Sequence, residues 1–314
     1  MMRRMIQIAA AIAAMSLGIG TVRLAAAEPV EAEPGHEQAQ AAAGAHHGLP
    51  QAAVRLPGVR IGPLPVTNSM VVTWVVAIGV IVFARLALRR MQEVPAGLQN
   101  FWEWLVELLY DFLEGIMGRT LARKTFWFFA TIFIFILFCN WFGLVPGVGT
   151  IGWGRQTPEG FVVEEPLLRG ANADLNMTLA MALVFFAAWT AWALQVNGPV
   201  GFVLHLFGPK GELSGLVKIL LIPVFVAVGL LEVISILFRP VSLSFRLYGN
   251  IFAGENMLEA MMNVMPALSW LMPVPFYLLE VLVGLVQALV FMLLTSVFTL
   301  VICTHEEGGS EAHA

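Results

Sequence analysis

The sequence predicts an all-α integral membrane protein. Hydrophobic residues make up 59% of the 314-residue chain and charged residues only 12%, whereas a soluble domain carries about 25% charged residues. The mean hydropathy is +0.81. Apolar runs recur at lengths that cross a hydrocarbon core of about 30 Å, at about 1.5 Å per helical residue. A net charge of −4 is close to neutral for this size and gives no basis for nucleic-acid binding. The two cysteines, Cys139 and Cys303, both lie in apolar runs. That is the setting of small buried hydrophobes rather than of a disulfide framework.

Residues 1–27 have the layout of a cleavable export signal. Arg3 and Arg4 form a basic start, Ile6 to Ile19 is apolar but short for a span, and Ala25-Ala26-Ala27 precedes Glu28 as an A-x-A site would. A retained anchor is the alternative. Either way the next segment is expected outside the cytoplasm. Residues 28–65 read as a polar, largely disordered external tail, rich in Ala, Glu, Pro and His up to Gly48. His36, His46 and His47 offer metal ligands in principle, but a solvated tail is the simpler reading.

The membrane domain is expected over 66–304, followed by a short cytoplasmic tail at 305–314. Its first span is Val66 to Leu88, and Arg85, Arg89 and Arg90 mark the far end as cytoplasmic. In Val94 to Gly118 the residues Phe101, Leu105, Leu108, Leu109, Phe112 and Ile116 recur at helical spacing. Glu103, Glu107, Asp111 and Glu114 fall on another face. With Arg119, Arg123 and Lys124 following, this predicts an amphipathic helix along the cytoplasmic surface; a helix packed on other membrane helices is the competing reading. Phe126 to Val145 spans outward to a break at Pro146. Gly147 to Ala173 has the mixed charge of an external loop, with Glu164, Glu165 and Arg169, and Leu175 to Val196 returns inward. His205, Lys210 and Lys218 against Glu212 make Asn197 to Lys218 a cytoplasmic loop.

Two long apolar runs remain, Leu216 to Val264 and Pro266 to Ile302. A continuous helix over the second is roughly 55 Å long, well beyond the hydrocarbon core. Either the chain divides at Arg239-Pro240 into shorter spans, or the two form a long tilted hairpin turned near Pro266. Hydropathy alone leaves both open.

Six ionisable residues interrupt these runs: Glu232, Arg239, Arg246, Glu255, Glu259 and Glu280. Charges at membrane depth usually face a bundle interior or a water-filled cavity, which makes them functional candidates. Glu232 and Arg246 are fourteen residues apart, and share a face if the helix runs through Pro240. Asn250 lies one turn beyond Arg246, while Glu255 lies half a turn around. Glu280 and Gln287, seven apart, share a face of the partner helix. Carboxylates take up and release protons, whereas arginine never loses its own. One fixed cation with carboxylates on both sides therefore suggests an ion path interrupted by a positive barrier. A purely structural Arg–Glu pair is the competing reading.

These residues sit in ordered blocks. S-L-S-F-R-L-Y-G-N-I-F-A-G-E from Ser242 resembles the signature of subunit a of the F-type ATP synthase, the membrane stator of a rotary motor. N-A-D-L-N-M-T-L-A-M-A-L from Asn172, I-P-V-F-V-A-V-G-L-L-E from Ile222, R-P-V-S-L from Arg239 and V-Q-A-L-V-F-M-L-L-T from Val286 resemble further blocks of that family, together covering about Val66 to Glu307. The resemblance implies one span, a surface helix, two more spans, and a long, steeply tilted C-terminal hairpin that cups a c-subunit ring. It also implies b subunits of a peripheral stalk and the rest of the synthase as partners, lipid around the spans, and no cofactor or metal. Arg246 takes the position of the stator arginine that separates two half-channels. Asn250, Glu255, Glu280 and Gln287 match positions tied to the external half-channel, and Glu232 the acidic position of the cytoplasmic one.

Family members often pair one Glu with one His across the positions of Glu255 and Glu280; here both are acidic. Two close carboxylates titrate as a coupled pair, so the external path is more negative and its affinity for protons or sodium stays open. No G-x-x-x-x-G-K-[ST] occurs in the chain, so ATP chemistry is expected on other subunits. The expected role is a non-catalytic, proton-translocating stator in a bacterial inner membrane, N-terminus outside and C-terminus cytoplasmic. A stand-alone secondary ion transporter is the alternative, disfavoured because no internal repeat is evident and the polar residues concentrate in one terminal hairpin. The intact mass of the mature subunit is expected to lack residues 1–27; a mass that includes them would identify a retained anchor.

Overall fold

In a computed structural model, the described residues are 55–61, 64–89, 91–145, 148, 151–157, 160–207, 222–264, 268 and 271–304. The leader, the His-containing tail, residues 208–221 and the C-terminal tail lie outside them. In chain order the elements are β1 (Arg55–Ile61), β2 (Leu64–Thr67), α1 (Asn68–Ala87), α2 (Leu98–Met117), α3 (Arg119–Gly143), β3 (Gly152–Thr157), β4 (Gly160–Pro166), α4 (Leu175–Phe207), α5 (Ile222–Val264) and α6 (Pro273–Thr304). A 3-10 turn, Ala171–Ala173, leads into α4. Five helices, α1 and α3 to α6, are long and apolar enough to cross a membrane. Helices suit that medium because each satisfies its own backbone hydrogen bonds where water is absent.

α3 forms the centre. Phe128, Phe129, Ile132, Ile134 and Ile136 are almost fully buried, on every side of the helix, so α3 is covered by protein rather than lipid. It packs against α1, α2 and α6. It begins seven residues before the expected start of the span at Phe126. Arg119, Arg123 and Lys124 form its first exposed turns, where long basic side chains reach out of the apolar layer.

α2 shows why one hydrophobic face is too simple a description. Trp102, Leu105, Leu109, Leu113 and Met117 are buried against the bundle, whereas Phe101, Trp104, Leu108 and Phe112 are exposed. Glu103, Glu107, Asp111 and Glu114 occupy a third sector. The helix thus both packs on α3 and α6 and presents an apolar stripe outward. Gly118, at φ 74°, separates α2 from α3 in one residue, a backbone state that side chains with a Cβ adopt at a cost.

The third span runs on as helix to Phe207, past the expected loop start at Asn197, with a break at Gly198 (φ 68°) followed by Pro199. The question posed by Arg239-Pro240 resolves in favour of one helix. α5 runs 43 residues straight through Pro240, about 65 Å, and packs against α6, a helix of 32 residues. Two antiparallel hairpins, β1–β2 and β3–β4, were not anticipated. Polar bonds tie the start of α1 to the end of β4 and to the start of α4. Asn68 Nδ2 donates to the Pro166 carbonyl at 3.0 Å, and Ser69 Oγ to Asp174 Oδ2 at 2.7 Å. Asp174 also accepts from the Asn176 amide at 2.9 Å, capping α4.

Asp174→Ala removes both the cap and the Ser69 bond. A loss of about 2 kcal/mol is expected, visible as a thermal midpoint lower by about 4–8 °C in detergent. Asp174→Asn, which keeps a capping oxygen, should recover most of it.

Candidate ion-path site

α5 and α6 bring four of the predicted residues together. Glu280 lies on the buried face of α6, only 6% exposed, and its carboxyl group rests on the backbone of Gly254 in α5. A Cβ at Gly254 would collide with that carboxyl group, so the close approach depends on glycine. Glu255, the next residue, lines the same cavity and is itself exposed. The two carboxyl groups are within electrostatic reach of each other. One turn along, Asn250 Nδ2 donates to Gln287 Oε1 at 2.5 Å, fastening α5 to α6.

The cavity holds about 20 Å³, room for roughly one water molecule. Cys139, Asn140, Gly170 and Asn172 complete its wall beside the two glutamates. Asn140 Nδ2 donates to the Gly284 carbonyl of α6 at 2.9 Å, and Asn172 Nδ2 to Asn140 Oδ1 at 2.6 Å. Trp141 Nε1 adds a bond to the Val281 carbonyl at 3.1 Å. The end of α3 is therefore laced to the α6 backbone beside Glu280. Asn172 Oδ1 and Gln287 Nε2 are buried without a hydrogen-bond partner among the described residues, the condition in which polar groups receive water or an ion. Arg169, expected in a solvated loop, is buried and within electrostatic reach of Glu255.

Arg246 sits apart from this cluster. It lies one turn from Asn250 but is exposed, in an apolar stretch of α5 that also exposes Phe238, Val241 and Phe245 on adjoining sides of the helix. Among the described residues no hydrogen bond or ion pair engages its guanidinium. Glu232 is half-buried and four turns away, about 21 Å along the helix. It does not reach the cavity; Arg239, seven residues on, lies within its electrostatic range. The side chain of Glu259 lies outside the described residues.

The sequence pattern missed Asn140, Asn172, Arg169 and Gly254. Asn172 opens one of the quoted blocks and Gly254 directly precedes Glu255, but nothing local pairs Asn140 with a carbonyl 144 residues later.

Residues 70–299 match the protein family described as ATP synthase A chain. The chain belongs to that family. It is 33% identical over 204 residues to ATP synthase subunit a of Gloeobacter violaceus, covering 65% of this chain and 72% of that protein. To ATP synthase subunit a of Moorella thermoacetica it is 32% identical over 202 residues, covering 64% and 76%, and to that of Helicobacter hepaticus 32% over 190 residues, covering 60% and 70%. All six predicted residues fall inside the stretch matched to the A chain family, as do Arg239 and the cavity wall. The hairpin β1–β2 precedes it.

Gly254→Ala is expected to displace Glu280 and to destabilise the subunit by about 1–3 kcal/mol, read as a lower thermal midpoint in detergent. Gly115→Ala, in α2 with open space at its Cβ position, should be neutral or slightly stabilising.

Proposed function

We propose that this chain is the ion-translocating stator of an ATP synthase membrane sector, with Arg246 separating two half-channels that lead to a ring of c subunits. The observation that carries the reading is the exposed guanidinium of Arg246 in an apolar stretch of α5, with no partner among the described residues. A charge at membrane depth costs roughly 3 kcal/mol on the insertion scale and more by simulation. Arginine cannot escape that cost by deprotonation. A carboxylate on another subunit, moving past this stretch, offsets it.

In this reading the external half-channel is the wall formed by Glu255, Glu280, Asn250 and Gln287. A proton entering there passes from a glutamate carboxyl to a rotor carboxylate, which becomes neutral and can turn into lipid. On its return the rotor carboxyl meets Arg246, loses its proton toward the cytoplasmic half-channel at Glu232, and is held as an anion by the guanidinium until it moves on. Arg246 accepts no proton itself, so the two paths never join. The chain performs no covalent catalysis; ATP is handled by other subunits, and b subunits brace it against rotation. The setting is a bacterial inner membrane, with the N-terminus outside and the C-terminus in the cytoplasm. The family assignment supports the stator role, and the proton is the ion assigned.

Arg246→Ala in the purified, assembled complex is expected to abolish ATP-driven proton pumping in vesicles without loss of assembly. Glu280→Gln should slow pumping more than it affects assembly. Solute transport by this chain alone in liposomes, without a c ring, would contradict the stator reading.

A further inference from the structure

α5 is the least buried of the five spans, and Pro240 stands inside it six residues before Arg246. A proline within a helix removes one backbone hydrogen bond and crowds the preceding turn, a weakening of about 3 kcal/mol and the usual origin of a kink. Over the six residues from Pro240 to Arg246, about 9 Å of helix, a swing of roughly 10° moves the arginine by about 1.5 Å. Misplacement by about 1 Å is enough to cost a reaction two orders of magnitude. Something must hold the hinge.

The residue before the proline is held in an unusual way. The Arg239 guanidinium carbon lies 4.3 Å from the ring centroid of Phe298 in α6 and 5.8 Å from that of Trp189 in α4. Trp189 Nε1 donates to the Phe298 carbonyl at 3.1 Å, so the two aromatic walls are fixed to each other. Trp189 is itself buried, stacked at 19° on Phe186 and met edge-on by Phe202. Three helices thus meet on one cation. Such contacts contribute about 0.5–1 kcal/mol when exposed and about 2 when desolvated. On the other side of Arg246, the Asn250–Gln287 bond fastens α5 to α6. The arginine is bracketed seven residues before and four residues after.

We propose that the Arg239–Trp189–Phe298 clamp is a positioning device: it pins α5 at its proline and thereby fixes how far Arg246 reaches toward the rotor carboxylate. This rests on the stator reading of Arg246, and deepens it. An aromatic clamp suits the task because ring faces on α4 and α6 hold the cation, while Glu232, a carboxylate within electrostatic range of Arg239, stays four turns from Arg246. Arg239 acts through the position of Arg246; because Glu232 is also within its electrostatic range, Phe298→Leu, which leaves that charge in place, is the variant that isolates the clamp.

The test uses the assembled complex in liposomes and reads protons pumped per ATP hydrolysed. Arg239→Leu and Phe298→Leu are each expected to lower that ratio about tenfold, the factor that corresponds to about 1.4 kcal/mol. The double variant should be no worse than either single one, because both remove the same contact. Arg239→Lys, which keeps a cation over the rings, should retain at least about half of the coupling. A purely structural role predicts instead that hydrolysis and pumping fall together with the amount of complex. A normal ratio in Phe298→Leu overturns the clamp even if Arg239→Leu fails to assemble, and so do multiplying effects in the double variant. Arg246→Ala, measured alongside, keeps the two ideas apart. Pumping that survives there removes the stator reading, whereas pumping lost there with coupling intact in the clamp variants removes only the clamp.

Discussion

A guanidinium that cannot shed its proton stands exposed in an apolar stretch of α5, and the described structure keeps the carboxylates of the same hairpin away from it. In hydrocarbon a fixed charge demands a counter-charge, water, or both. The described residues give Arg246 no counter-charge, yet they gather polar groups within two to three turns of it, on the side of α5 turned toward α6. Asn250 and Gln287 come first, then Glu280 and Glu255 around a small cavity. Separation of the cation from the carboxylates is itself informative. A structural Arg–Glu pair, the competing reading of the sequence, would place them in contact.

The fold makes that separation possible by length. α5 has 43 residues and α6 has 32, so each exceeds a perpendicular span and the hairpin carries groups at several depths on one scaffold. α3 supplies rigidity: it is buried on all sides and is laced to the α6 backbone through Asn140 and Trp141. The same lacing forms the cavity wall, so packing and site share residues. Gly254 shows how tight the tolerance is, since even a methyl group there would meet Glu280.

The membrane spans were legible because apolar runs of about 20 residues mean one thing in lipid. Arg246, Asn250, Glu280 and Gln287 were legible because ionisable and amide groups are rare at that depth and helical spacing sorts them by face. The hairpins β1–β2 and β3–β4 were not, since their short runs are broken by Gly and Pro and resemble ordinary loops. Nor was the passage of α5 through Pro240. A proline argues locally for a break, and what argues against it is the packing of α5 along α4 and α6, Arg239 on Trp189 and Phe298 included, which no local pattern records. Asn140, Asn172 and Arg169 were invisible for another reason. Their significance is a contact across the fold, and one sequence carries no record of such contacts.

The central claim is that Arg246 meets a carboxylate from outside this chain. The decisive measurement is a structure of the assembled complex in lipid, read for the distance from the Arg246 guanidinium to the nearest carboxylate. The account predicts a carboxylate of a facing rotor subunit within hydrogen-bonding or single-water reach, about 3–5 Å, with Glu255 and Glu280 remaining around their cavity. Arg246 paired with a glutamate of its own chain, or facing only lipid while the rotor sits against another helix, would contradict it.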